Sequence, residues 1–220
     1  MSDKKFKYKS AFDIIGPIMV GPSSSHTAGA VRIGNMAKEL YKHMPKKLIV
    51  TFFGSFAETY KGHGTAVAIV AGVLGFETHD ERIPEAIKIA EKQGVFIEFL
   101  VSPKATEHAN TVNLELIDEQ EMLNLTAISI GGGSIQLTEI NHHSTLLNQD
   151  QGNGLVFTTD QSSVAISRIE DALESPAFVE VQQLNQETVF FVETLSDISQ
   201  KLIAKIREIP GITAVLPTTS

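Results

Sequence analysis

Between Ala66 and Phe76 the chain carries no polar side chain. The stretch "GTAVAIVAGVLG" that contains this run reads as a helix that is apolar all round, and a helix without a wet face must be enclosed by the rest of the protein. It is too short to cross a bilayer. Other elements must therefore wrap it, and the neighbouring patterns supply them. Ile33, Met36, Ala37, Leu40 and Met44 recur at helical spacing and predict a helix starting near Thr27. "KKLIVTFFG" predicts a strand closed by Gly54. Ile83, Ala86, Ile87 and Ala90 predict another helix, ended by Gly94. "VFIEFLV" is a strand, "TVNLELI" a half-buried one, and "LTAISIGGGSIQLTEI" two strands around a triple glycine. Helices and strands alternate first and strands cluster later, which implies a layered α/β unit with a mixed sheet.

The pattern changes after "NQDQGNG" (148–154), whose polar, glycine-rich composition reads as a linker. "GLVFTT", a helix face of Ile166, Ile169 and Leu173, the strands "FVEVQQLN" and "ETVFFVET", a helix face of Ile198, Leu202, Ile206 and Ile209, and "ITAVLP" follow. That is βαββαβ, the ferredoxin-like order. The expected fold class is thus α/β (α+β), with a mixed-sheet unit over 1–148 and a ferredoxin-like unit over 153–220. "FVEVQQLN" or "ETVFFVET" is expected at a sheet edge, where strands seek partners.

Composition narrows function. Hydrophobic residues at 42% and charged residues at 20% are ordinary for a globular protein. A net charge of -8 is not the footprint of a nucleic-acid binder. The polar opening "MSDKKFKYKSAF" does not read as a secretory signal, so no membrane association and a cytoplasmic location are expected. With no cysteine, the chain has no thiol nucleophile and no thiolate for a metal cluster.

Four stretches carry candidate chemistry. "GPSSSHTAGA" (Gly21 to Ala30) sets Ser23, Ser24, Ser25, His26 and Thr27 at a helix start. One of these hydroxyls serves as an N-cap. Three serines exceed what one cap uses, and backbone N–H groups, hydroxyls and the helix dipole together favour a bound carboxylate or phosphate. His26 beside it titrates near neutral pH. "YKGHGTA" places His63 between Gly62 and Gly64, followed by Thr65, at the start of the apolar helix, where the glycines allow a ligand near the backbone. "EHANTVNL" puts His108, Asn110 and Thr111 at a strand entry, which loop polarity alone also explains. Gly131 to Gly133 fit a tight turn or bulge as well as a ligand contact. His142 and His143 lack a partner at metal-ligand spacing, and no residue is put forward as a metal ligand. His43 and His79 read as surface residues.

Together "GPSSSHT", "GSFAETYKGHGT", "HANT" and "SIGGGSI", from Gly21 to about Ile140, resemble the β chain of the bacterial iron–sulfur-dependent L-serine dehydratases. The C-terminal unit resembles a divergent ACT domain. The resemblance implies a lyase of serine catabolism that eliminates water from L-serine to give pyruvate and ammonia, divided between this chain and an α subunit holding a [4Fe–4S] cluster. The lack of cysteine agrees with cluster ligands on that partner. It further implies His26 and His63 as candidate bases, His63 favoured, with Ser23, Ser24, Ser25 and Thr27 on the substrate carboxylate. Gly62, Gly64, Thr65, His108, Asn110 and Thr111 complete the implied substrate site. Ala66 stands where the family usually has Asp, and Ala109 where it usually has Pro. In "DQSS", Ser163 takes the position of an ACT effector-site glycine, so homo-association rather than amino-acid binding is expected of that unit. The first unit also resembles the allosteric substrate-binding domain of some phosphoglycerate dehydrogenases, which implies an alternative, a non-catalytic serine-sensing module. A free-standing ACT-type binding protein would account for the C-terminal unit but not for the histidine motifs.

Overall fold

The computed structural model describes residues 18–145 and 153–218. A π-helical turn, Ser24–Ala28, runs directly into helix α1 (Gly29–Tyr41). Strand β1 (Lys47–Phe52), short helix α2 (Gly54–Thr59), helix α3 (Thr65–Val73), a 3-10 turn at Ile83–Glu85 and helix α4 (Ala86–Lys92) follow. Strands β2 (Phe96–Val101), β3 (Thr111–Ile117), β4 (Met122–Gly131), β5 (Ser134–Ile140) and β6 (His143–Ser144) then join β1 in a sheet ordered β2-β1-β3-β4-β5-β6. β1 and β2 are parallel and the remaining pairs antiparallel, so the sheet is mixed, as the sequence pattern predicts.

The register builds one continuous apolar face. Leu48, Val50 and Phe52 lie opposite Leu116, Leu114 and Val112, which in turn lie opposite Leu123, Leu125 and Ala127. All nine are fully buried beneath α1 and α3. The opposite face keeps polar residues and pairs them: Asn113 Nδ2 donates to Asn124 Oδ1 at 2.9 Å and to Thr126 Oγ1 at 3.0 Å. An antiparallel sheet with one wet face takes this alternation. Helix α3 is enclosed, with Ala68, Ile69, Val70 and Ala71 sealed from solvent.

Helices α1 and α3 run side by side in the same direction and meet backbone to backbone. A Cβ built on Gly34 would stand 2.3 Å from the Ile69 carbonyl oxygen, and one on Gly72 would stand 2.1 Å from that of Val31. Only glycine permits this approach. Helix α1 stops at Tyr41 because Lys42 turns left-handed at φ 71, so Met44 packs on the core from the following loop rather than from the helix. The three glycines 131–133 all take positive φ (105, 62 and 87) in the β4–β5 hairpin, the tight-turn reading of that motif.

The second sheet is formed by β7 (Asn153–Thr159), β8 (Ala177–Leu184), β9 (Glu187–Thr194) and β10 (Ile212–Pro217), with helices α5 (Ser162–Glu170) and α6 (Gln200–Arg207) between them in sequence. Its antiparallel order β10-β7-β9-β8 is ferredoxin-like. Asn185 and Gln186, at φ 52 and 64, make the two-residue β8–β9 turn. "FVEVQQLN" is an edge strand. "ETVFFVET" is not, because the crossovers insert β9 between β7 and β8. Its unbroken apolar run follows from burial on both faces. Phe190 and Val192 join the core under α5 and α6, whereas Val189 and Phe191 join the core of the first sheet, with Val156, Val181 and Leu184. Backbone and side chains stitch the two sheets further: Leu137 N donates to Thr218 O at 2.7 Å, Lys42 pairs with Glu187, and Arg207 pairs with Glu39 at 3.1 Å. The stretch read as a linker falls mostly on residues 146–152, outside those described.

His43 lies at the surface but is only partly exposed. It is half-buried, its ring centroid 4.2 Å from that of Tyr41, with Nε2 3.2 Å from Glu121. His142 sits at φ 66 in the turn before β6, 3.6 Å from Glu139. Gly72→Ala is expected to lower stability by about 2–3 kcal/mol, the usual cost of overpacking a rigid contact. Urea denaturation at fixed pH measures this, and an unchanged midpoint would show that the two helices part freely.

Candidate functional site

Because α1 and α3 are parallel, their N-termini emerge at the same end of the helical layer. His26 lies in the turn that opens α1 and His63 just before α3, and their ring centroids are 5.3 Å apart. The Ser-Ser-Ser-His motif forms its turn locally. Ser23 Oγ caps it by accepting from the His26 N–H at 3.1 Å, and the Thr27 N–H donates to Ser23 O at 2.8 Å. π-helical turns of this kind are frequent at functional sites. Ser24 and Ser25 are half-buried in the turn, and Thr27 is buried, its hydroxyl 3.5 Å from the His63 carbonyl oxygen.

The His26 ring is held on three sides. Ser23 Oγ lies 3.3 Å from Nδ1, Ser55 Oγ lies 3.4 Å from Nε2, and Phe56 packs edge-on with centroids 5.2 Å apart. A neutral imidazole satisfies both contacts, with one ring nitrogen accepting and the other donating. Burial holds the His26 pKa below the ordinary histidine value of 6.5, and repulsion from His63 lowers it further. His63, by contrast, is exposed, with Gly62 exposed beside it. Gly64 caps α3 at φ 70 without a capping side chain. Thr65 Oγ1, the first hydroxyl of α3, is fully buried and has no protein partner, and neither has Ser129 Oγ. Ser129 Oγ underlies the start of α1, 2.3 Å from where a Cβ on Gly29 would stand.

The "HANT" loop reaches this centre through its backbone. Ser55 N donates to Ala109 O at 2.8 Å, which docks the loop on α2. Within the loop His108 Nδ1 accepts from Asn110 N at 3.1 Å, Thr111 Oγ1 donates to His108 O at 2.6 Å, and Asn110 Nδ2 reaches Ser129 O at 3.4 Å. Among the described residues no hydrogen bond or ring contact joins the side chains of His108, Asn110 or Thr111 to His26 or His63. The structure thus brings together Ser23, His26, Thr27 and His63 and holds the loop alongside them. Ser55, Phe56 and Ser129 belong to the same centre although sequence reasoning does not select them. Ser55 lies inside the quoted "GSFAETYKGHGT", but nothing local says that it faces His26.

Among the described residues, no group of three or more His, Cys, Asp or Glu could hold a metal ion, and the chain has no cysteine. These residues do not fit an iron–sulfur cluster. No helix among the described residues is long and apolar enough to cross a membrane.

The chain is thus a mixed α/β protein whose paired helix starts carry a Ser-His turn and a Gly-His-Gly turn. The model of the serine dehydratase beta chain family matches residues 10–140, and the chain belongs to that family. It is 44% identical over 215 residues to the probable L-serine dehydratase, beta chain, of Bacillus subtilis (strain 168), covering 95% of this chain and 97% of that one. It is 41% identical over 136 residues to the L-serine dehydratase, beta chain, of Peptoniphilus asaccharolyticus, covering 60% of each. With L-serine dehydratase 2 of Escherichia coli (strain K12) it shares 32% identity over 151 residues, covering 57% of this chain and 33% of that protein.

The lowered His26 pKa fixes the sign of a pH effect. The unfolded chain takes up the proton before the folded one, so this contribution to stability is complete above pH 6.5 and is lost as pH falls from 6.5 towards the folded value. The His26 ring resonances are expected to titrate below 6.5 by NMR. In His63→Ala the midpoint is expected to rise, yet stay below 6.5, because burial is the larger cause. An unmoved midpoint would show that the two rings do not interact.

Proposed function

We propose that this chain is the β subunit of a two-chain L-serine dehydratase, converting L-serine to pyruvate and ammonia, and that its own share of the chemistry is to bind the substrate and remove the Cα proton. The observation that carries the reading is the His26–His63 pair, with ring centroids 5.3 Å apart at two converging helix N-termini and the unpartnered Thr65 hydroxyl between the second of them and the core. Two helix starts and a hydroxyl-rich turn favour a carboxylate. Ser23, Ser24, Ser25 and Thr27 supply that turn. Asn110 and Thr111, docked through Ala109, line the amine or hydroxyl side, with His108 holding the loop.

His63 accepts the Cα proton as general base. It is the exposed member of the pair, and Gly62 and Gly64 leave the approach open. His26 stays neutral, held by burial, and keeps the second imidazole from adding a like charge beside His63 as it takes the proton. Loss of the proton and of the hydroxyl gives aminoacrylate and water. Aminoacrylate then hydrolyses to pyruvate and ammonia. The [4Fe–4S] cluster that the family resemblance implies belongs to the α subunit in this reading, since this chain has no thiolate to offer it. The division into 1–148 and an ACT-like unit over 153–220, homo-association through the β8 edge of that unit, and a cytoplasmic location complete the proposal.

Two measurements test it. The purified chain alone, after anaerobic reconstitution, is expected to lack broad iron–sulfur absorbance and serine deamination; either signal would sink the two-chain reading. In the assembled enzyme, His63→Ala is expected to lower kcat by roughly 10²-fold or more, the usual worth of a general base. A saturated rate near that of the wild type, with altered cooperativity, would assign His63 to a sensing site instead.

A further inference from the structure

A cavity of about 780 Å³ opens where the outward side of α1 faces β10 and the start of α6. Its volume is that of a metabolite site. Helix α1 lines it with Arg32, Asn35, Lys38 and Glu39, followed by Lys42 just past its end, and Ile135 and Leu216 make it apolar where the two sheets meet. Two of these charges are spent on joining the sheets, Lys42 on Glu187 and Glu39 on Arg207. Arg32 and Lys38 are not. Arg32 Nη1 donates to Gly133 O at 2.9 Å and Lys38 Nζ to Leu74 O at 3.3 Å, and among the described residues neither pairs with a carboxylate. A guanidinium and an ammonium each keep further N–H groups for a ligand. They lie six residues apart on one helix, about 9 Å along its axis, and both line the cleft. Gln200, the first residue of α6, sets the positive end of that helix at the mouth. Among the described residues Glu77 is the unpaired acid of the lining, leaving one net positive charge.

We propose that this cleft binds a small organic anion through a carboxylate or phosphate group, with Arg32 and Lys38 as its ligands and the apolar junction holding its carbon skeleton. The site is separate from the His26–His63 centre and needs no partner chain. Ligand bound there touches both sheets and also α1, the helix whose first turn carries His26.

Calorimetric titration of the full-length chain with malonate and, separately, inorganic phosphate tests the proposal and tells the two ligand sources apart. At least one is expected to bind saturably. The Arg32→Met/Lys38→Met double variant is expected to bind at least about tenfold more weakly, or ~1.4 kcal/mol. Gln200→Trp, at an exposed lining position, is expected to block binding while leaving both backbone hydrogen bonds of the cations intact, so it decides the matter if the double variant folds poorly. His26→Ala and His63→Ala are expected to leave binding unchanged, which separates this site from the proposed substrate pocket. No saturable heat with either probe, wild-type affinity in Gln200→Trp, or loss of binding in the histidine variants would each overturn it.

Discussion

Everything at the candidate site depends on how closely α1 and α3 approach. Gly34 and Gly72 remove the side chains that would keep the helices apart, and each backbone then rests against the other's carbonyl groups. The contact lies about eight residues, some 12 Å of helical rise, from the two histidines. Two parallel rigid helices pinned there have little freedom at their starts. The 5.3 Å spacing of His26 and His63 is therefore a consequence of core packing, and not of any bond between the rings. That spacing puts each imidazole within reach of the other's charge, which adds to burial, the larger cause, in lowering the His26 pKa.

The sheet beneath does the complementary work. Its apolar face presents aligned rows of Leu, Val and Phe to the helices, so α1 and α3 have a flat platform to lie on. Strand β3 begins at the "HANT" loop, and β1 ends just before α2, so the loop ends of two neighbouring strands deliver Ser55 and Ala109 to the same place. Ser55 then touches Nε2 of His26, completing a ring held by hydroxyls on both nitrogens. Two buried hydroxyls, Thr65 Oγ1 and Ser129 Oγ, remain without protein partners close to the two helix starts. Buried polar groups seldom go unpaired, and when they do a functional reason is worth seeking.

The C-terminal sheet is built into this layer rather than merely tethered to it. Strand β9 divides its side chains between two cores, and Lys42, Glu39 and Tyr41 at the end of α1 meet Glu187, Arg207 and Asn185 across the junction. One helix thus touches the candidate site at its start and the second sheet at its end.

Much of this was legible from local pattern. Helical spacing marked the buried face of α1 from Ile33 to Leu40, the unbroken apolar run declared α3 enclosed, and alternation at Val112, Leu114 and Leu116 assigned the buried face of β3. These signals are short-range because backbone periodicity decides which side chains share a face. The absence of cysteine was equally decisive, for it excludes thiolate chemistry in any fold. The sequence also contained Ser23, His26 and His63, but nothing in their separation says that they converge. That was decided by the glycine contact between α1 and α3 and by parallel packing over the sheet. The role of Ser55, the second buried face of β9, the half-buried state of His43 and the cleft at Arg32 and Lys38 were likewise set only by tertiary structure. Each depends on residues distant in sequence meeting through packing, and period and propensity carry no information about such meetings.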